Sequence, residues 1–313
     1  MEEDLRVKTQ FMLSGATLKV PEGFSHPFAD AKADGTGSII VSFGDSRMRF
    51  RYAPDKGEYD LVREGDSYSI IHKGMPILQD VKFVQAFCHS PYQANVSLAK
   101  FDSIDDMMEY LDRIVSTGTV GGIPISGSDD MPAERFIEAI KAIHSKYPDI
   151  PIGLTYRVCP KDEMVRFREA GLSEFKLSVG STSPRIFAAL QPDQDLDTVM
   201  GCLKDAVDVF GKGKVQTGLF LGLGESDEEA VKTFEDVSRI GVLADIKLKK
   251  FSPKSREEFE FKLGKIEPIS QDRLIHLAHA LKDIQNSFNL DTNSASTICL
   301  SCRCCNIVPF KDF

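Results

Sequence analysis

"KVQTGLFLGLGESDEEAVKTFEDVSRIG", residues 214–241, holds the pattern that decides the fold. Its first half is a short apolar run, the mark of a strand buried on both faces. Its second half places apolar residues at helical spacing and stops at Gly241, a residue suited to closing a helix. One strand feeding one helix is the unit of parallel α/β folds, because parallel strands need a crossover of about a dozen residues or more.

The same unit recurs on both sides. Upstream, "QANVSL" (93–98), "GGIPISG" (121–127), "IPIGLTYRV" (150–158) and "EFKLSV" (174–179) read as strands. Each precedes a helical pattern: "SIDDMMEYLDRIVSTG", "ERFIEAIKAIHSKY", "KDEMVRFREAG", and the pair "SPRIFAAL" and "LDTVMGCLKDAVDVFG". The helix at 134–147 is expected to open with Asp130 as N-cap and Pro132 in its first turn. Downstream, "ADIKLKKF" is a last strand and "SQDRLIHLAHALKDIQNSF" a last long helix. Six βα units in series predict an α/β protein with a partial (β/α)6 TIM-like barrel over residues 85–290. Chemistry in such folds collects at the C-terminal ends of the strands. No G-x-G-x-x-G follows the first strand, which disfavours a dinucleotide-binding Rossmann fold.

Residues 1–84 read as a separate β-rich module. "SIIVSFGDSRMRFRYAP" alternates at period two, and "EYDLVREGDSYSIIHKGMPIL" reads as a hairpin turning at Glu64, Gly65 and Asp66. Residues 291–313 form a cysteine-rich tail. The composition is that of an ordinary globular protein, 42% hydrophobic and 27% charged. A net charge of −9 argues against general nucleic-acid binding. No run of about 18 apolar residues predicts a membrane span, and the acidic start "MEEDLRVKTQFM" does not read as a secretory signal. A cytoplasmic location is expected, where clustered cysteines point to metal or redox chemistry rather than disulfides.

The segment "AVDVFGKGKVQTGLFLGLGESDEEAVKTFEDVSRIGV" resembles the fifth βα unit of radical S-adenosylmethionine enzymes of the biotin-synthase-related branch, with G-x-x-x-G-x-x-E at Gly218, Gly222 and Glu225. "CHSPYQANVSL" is similar to the lead-in to the first barrel strand of an archaeal biotin-synthase- or lipoyl-synthase-like subgroup, and "FREAGLSEFKLSV" to the family's third-helix-to-fourth-strand segment. The resemblance covers roughly residues 80–255. It implies S-adenosylmethionine as a cofactor, with Gly218, Gly222 and Glu225 beside it and Ser126 and Gly127 contacting its amino-acid part. The residues allow a plainer role as well. Both glycines permit close approach to a strand, Glu225 suits a helix start, and Ser126 to Asp129 could cap a helix.

This chain departs from the family in two places. The family holds its catalytic [4Fe–4S] cluster with C-x-x-x-C-x-x-C after the first strand, but here that loop is "AKFD" (99–102) and carries no cysteine. Gly180 stands in "KLSVGSTSP" where the resemblance calls for an acid.

Thiols are plentiful at the other end. "STICLSCRCCNIVPFKDF" (296–313) holds Cys299, Cys302, Cys304 and Cys305. The C-x-x-C spacing suits a metal, and the two further cysteines could complete four sulfur ligands for an iron–sulfur cluster or a structural zinc. Adjacent cysteines diverge, so one of them could be a bystander, with His276 or His279 as substitute. Cys159 and Arg157 follow a strand, Cys202 reads as core, and His89 and Gln93 flank the first strand. The expected function is that of a divergent radical-SAM-like iron–sulfur protein, with sulfur-insertion or carbon-skeleton chemistry on a small or carrier-bound substrate. The alternatives are a non-catalytic partner of an intact radical SAM enzyme, or a nucleotide-like ligand-binding barrel with zinc.

Overall fold

The computed structural model describes residues 2–87 and 90–313. Cys88 and His89 lie outside the described residues.

The chain opens with a helix, α1 (Glu2–Ser14), where the sequence analysis expected only strands. Its Leu5, Phe11 and Met12 are buried, and it packs on the module's sheet and on the last long helix. The strands of the module are β1 (Thr17–Lys19), β2 (Asp30–Ala31), β3 (Gly37–Phe43), β4 (Ser46–Ala53), β5 (Tyr59–Glu64), β6 (Ser67–His72), β7 (Met75–Leu78) and β8 (Lys82–Val84). They form one sheet in the order β2-β3-β4-β1-β5-β6-β7, with β8 beside β3. The hairpin turns where expected, with Glu64 opposite Ser67. A core of Phe11, Phe50 and Tyr59 in edge-to-face contact holds α1 to this sheet.

Two short strands, β9 (Ala86–Phe87) and β10 (Ser90–Pro91), lead into the second sheet. Its strands are β11 (Val96–Ser97), β12 (Ile123–Ser126), β13 (Ile152–Thr155), β14 (Glu174–Lys176), β15 (Val215–Leu221) and β16 (Leu243–Leu248). All neighbours are parallel and follow chain order, the topology of an open six-stranded barrel. The helices between them are α2 (Ile104–Val115), α3 (Ala133–Lys146), α4 (Lys161–Glu169), α5 (Pro184–Leu190), α6 (Leu196–Phe210) and α7 (Asp227–Arg239). After β16 come α8 (Pro253–Leu263) and α9 (Gln271–Ser287). The N-cap of α3 is Pro132 rather than Asp130. α8 buries no residue.

One face of each strand packs on the helices: Ile125, Leu154, Phe175, Leu219 and Ile246 are almost fully buried there. The opposite face looks into the barrel, and it is polar. Glu174, Lys176, Gln216 and Asp245 are each at most 2% exposed. Strands of a parallel sheet are normally apolar on both faces. The interior is polar because it is filled by residues 292–313.

That segment enters beside the N-terminal ends of the strands. A Cβ on Gly122 would meet the Ser296 carbonyl at 2.7 Å, and one on Gly153 would meet Thr297 Oγ1 at 2.2 Å. Two glycines thus let the segment lie directly on the sheet. A short helix, α10 (Ile298–Cys302), follows and ends at Arg303 in the left-handed conformation. Ile307 then pairs with Ile246 through two 2.9 Å backbone bonds, covering the free edge of β16. The Cys304 carbonyl accepts from Arg49 N on β4, so the tail also ties the module to the barrel.

Candidate functional site

Glu174, the first residue of β14, anchors the tail. Its carboxylate accepts from Ser296 N (2.8 Å), Thr297 N (3.0 Å), the Thr297 hydroxyl and Gln216 Nε2 (2.8 Å). A buried carboxylate persists when donors replace its lost water. Gln93 and Gln216 donate to the carbonyls of Ile298 and Thr297, both at 3.1 Å. Gln93 therefore satisfies the tail's backbone.

With its start fixed this way, α10 presents Cys299 and Cys302 one helical turn apart. Cys299, Cys302 and Cys305 all line a single cavity of about 460 Å³. Ser97, Ser126 and Thr155, at the C-terminal ends of β11, β12 and β13, line it too. The sequence analysis set the thiols of the tail apart from the mouth of the barrel. The fold brings them to that mouth. Lys100 and Phe101, from the cysteine-free loop after β11, form another part of the wall.

Electrostatics distinguish the sulfurs. Lys247 Nζ lies 3.6 Å from Cys299 Sγ. Asp245, 4.0 Å away, raises the Lys247 pKa above its ordinary value despite burial, so the ammonium stays charged. Asp245 is held by Asn306 Nδ2 at 2.8 Å and stands 3.6 Å from Lys176. A hydrogen bond from Cys304, a second from Ser90 Oγ at 3.4 Å and the field of Arg47 outweigh burial, bringing Cys302 down to about 6. Cys305 is exposed at one edge of the cavity, but the surrounding protein and the neighbouring Cys302 and Cys299 push it up to about 11. Cys304 is turned away: it is 2% exposed and its thiol donates to the Cys302 carbonyl at 3.2 Å.

These groups bear on a metal as follows. Among the described residues, no three His, Cys, Asp or Glu side chains converge on one point as a single ion requires. An iron–sulfur cluster asks for something different, since each thiolate binds its own iron on a larger body. Three sulfurs spread over one cavity wall, with an ammonium beside them, match that donor chemistry. The two histidines stand elsewhere. His279 faces Glu2 at 3.1 Å and His276 is exposed.

The remaining expected residues divide. Ser126 lines the thiol cavity. Gly127 lies against the Phe136 ring and Met131, where a Cβ would come within 2.6 Å of a ring carbon. Gly218 faces inward, with the stem of Lys247 3.2 Å from the position of a Cβ. Gly222 has φ +80°, and Glu225 braces that turn by accepting from Gly222 N (2.9 Å) and Leu223 N (2.8 Å). Arg273 clasps Glu225 from α9, donating to its carbonyl at 2.7 Å. Cys159 and Cys202 pair with each other in the core, where their hydrogen bond and burial push Cys159 up, and Arg157 stacks on Tyr156. Sequence reasoning missed Glu174, Lys176, Gln216, Asp245 and Lys247. Their signal was polar residues alternating within "EFK", "VQTG" and "ADIKL", segments that parallel-sheet burial should have kept apolar.

An open parallel barrel with a cavity at its strand ends, walled by thiols and a lysine, defines a class of cofactor-bearing α/β proteins. Residues 86–237, just under half of the chain, match the Radical SAM superfamily. The superfamily generally implies an iron–sulfur cluster and the use of S-adenosylmethionine. The chain is similar to lipoyl synthase of Haemophilus influenzae, at 25% identity over 120 residues, 36% of this chain and 37% of that protein. It is also similar to GTP 3′,8-cyclase of Nautilia profundicola, at 23% identity over 124 residues and 39% of each. The matches thus span less than two fifths of these relatives. Among solved structures, methylornithine synthase aligns over 92% of this chain and 76% of its own, with TM-score 0.47 and 10% identity. No helix among the described residues is long and apolar enough to cross a membrane.

Proposed function

We propose that this protein is an iron–sulfur protein of the radical SAM type whose cluster is held by Cys299, Cys302 and Cys305, the thiols of the tail, in the mouth of the barrel. One observation carries the reading: these three sulfurs share a cavity with Ser97, Ser126 and Thr155 at the strand ends. A cluster bound there supplies one electron at low potential. The chain's own residues do the rest. Lys247 sets a positive charge beside Cys299. Cys302, already low, needs little further help to lose its proton. Glu174, Gln93 and Gln216 hold the tail in register, so the sulfurs keep their places on the wall. The hydroxyls of Ser126 and Thr155 offer donors and acceptors to the amino-acid part of S-adenosylmethionine. The substrate is small or carrier-bound, and the reaction is of the sulfur-insertion or carbon-skeleton kind, as the similarity to lipoyl synthase supports.

Anaerobic reconstitution with iron and sulfide tests this. About four irons per chain and a visible charge-transfer band are expected. The Cys299→Ser/Cys302→Ser/Cys305→Ser variant should lose both, while Cys304→Ser keeps them. Retention of iron by the triple variant, or no iron in the parent protein, would refute the assignment. With the cluster loaded, reduction in the presence of S-adenosylmethionine should yield 5′-deoxyadenosine.

A second reading has its own support. The loop after β11 carries no thiol, which suits a non-catalytic partner of an intact radical SAM enzyme. Iron binding without 5′-deoxyadenosine, restored only when such an enzyme is added, would select it.

A further inference from the structure

The face of the tail opposite the thiols meets the N-terminal module across a second cavity, of about 760 Å³. Four cations line it, each from a different segment: Arg47 on β4, Lys282 on α9, Arg303 at the end of α10, and Lys311. Among the described residues, Asp45 is the only side-chain carboxylate lining it. Asp312, close by, is bound to Lys8 at 2.7 Å with both side chains fully buried, and stands 3.9 Å from Arg303.

The hydrogen bonds of these cations go to backbone oxygens. Lys282 donates to the Phe313 carbonyl, Lys311 to that of Ala295, and Arg303 to those of Asp45 and Lys311. Arg47 lies 5.4 Å over the Tyr92 ring, and its buried Nη1 has no hydrogen-bond partner among the described residues. Like charges gathered around a partly enclosed cavity repel one another. Burial and the fields of Arg303 and Arg47 bring Lys311 down to about 8. The chain carries 47 acids against 38 basic residues, yet places one carboxylate here. A bound anion would supply the missing charge and a partner for Arg47 Nη1.

We infer that this cavity is a binding site for a phosphorylated small molecule. Arg47, Arg303, Lys282 and Lys311 would hold the phosphate, and the rings of Tyr92 and Phe310 offer a surface for an organic portion. The site stands independently of the cluster. Its neighbour Cys302 lies between Ser301 and Arg303, so the tail is one wall of both cavities.

The test is calorimetric titration of the full chain, without reconstitution, at physiological ionic strength. Pyrophosphate, inorganic phosphate and adenosine 5′-phosphate serve as probes. Saturable binding of pyrophosphate is expected, with Arg47→Met weakening it by about tenfold or more and Lys282→Met by about threefold. Lys146→Met removes an equal charge from the far surface and should leave the affinity unchanged. Tighter binding of adenosine 5′-phosphate than of inorganic phosphate would assign the ring surface to an organic portion; the reverse order would assign the site to inorganic phosphates. Circular dichroism confirms folding, and Lys282→Met keeps the test open if Arg47→Met fails to fold. No binding by any of the three probes, or equal weakening by Lys146→Met, would overturn the inference.

Discussion

The loop after the first barrel strand and the tail reach one cavity with opposite chemistry. Residues 98–102 bring Lys100 and Phe101 to it and no sulfur; residues 299–305 bring three thiols. In the family resemblance the cluster's cysteines belong to the loop, so their loss there argued for an empty mouth. The structure shows that a cavity is defined by the side chains that point into it, whichever segment delivers them. Delivery from the tail carries a cost that a loop would not. The tail must be latched at several points, and each latch can be broken without touching a sulfur.

The strongest latch is the buried pair of Lys8 and Asp312, 2.7 Å apart and both fully buried. Burial depresses the Lys8 pKa more than Asp312 raises it, so the pair does not stabilise the fold by charge alone. Removing one partner is a different matter, because it leaves the other charge buried. Lys8→Met should cost about 3–5 kcal/mol, read as a lower urea midpoint, with faster hydrogen exchange over residues 297–308. Lys8→Met/Asp312→Leu should recover much of that. A single variant as stable as the parent would show that the tail is held elsewhere.

A smaller effect is expected at Gly153, where a Cβ would stand 2.2 Å from Thr297 Oγ1 and 2.7 Å from the Ile298 side chain. Gly153→Ala should cost about 1–3 kcal/mol by overpacking and should lower iron content after reconstitution, since α10 shifts with Ile298. Gly201→Ala, in α6 with nothing within 4 Å, should instead stabilise by roughly 0.5–1 kcal/mol. Equal responses at the two sites would remove the argument that Gly153 exists for the tail.

These latches also mark how far the sequence could be read. The six parallel strands were readable because each apolar run is followed by a helical period, in several units with a closing glycine such as Gly171, Gly211 or Gly241, a local signal. The thiols were readable as a cluster from spacing alone. Their meeting with β11 to β13 was not, because it depends on where a segment about 200 residues away in the chain comes to rest. Nothing in the sequence marks Gly122 and Gly153, whose role depends on Ser296 and Thr297 lying against them. Glu174 and Asp245 went unread because their partners, the tail's amides and Asn306, lie far along the chain. Helix α1 went unread because its Lys8 and Thr9 are buried, which hides the amphipathic period.

The smallest expected effect separates the two cavities on either side of the tail. Lys311 sits near 8, pushed down by burial and by Arg303 and Arg47, with Glu174 and Asp291 acting against them. Below that pH it is a cation, and above it the amine is neutral. The affinity of the second cavity for adenosine 5′-phosphate should therefore fall as pH rises from 7 to 9.5, by about three- to tenfold for the loss of one nearby charge. Working above pH 7 keeps the second phosphate ionisation, near 6, largely out of the window. A bound anion favours the protonated amine, so the decline should extend above 8 and not end there. Lys311→Met should bind more weakly at pH 7 and show a flatter profile. The cluster proposed on the other side involves no lysine of this group, so iron content should not follow the same profile. A parent protein whose affinity for adenosine 5′-phosphate is level from pH 7 to 9.5, or a Lys311→Met variant with the parent's slope, would show that Lys311 does not face the anion.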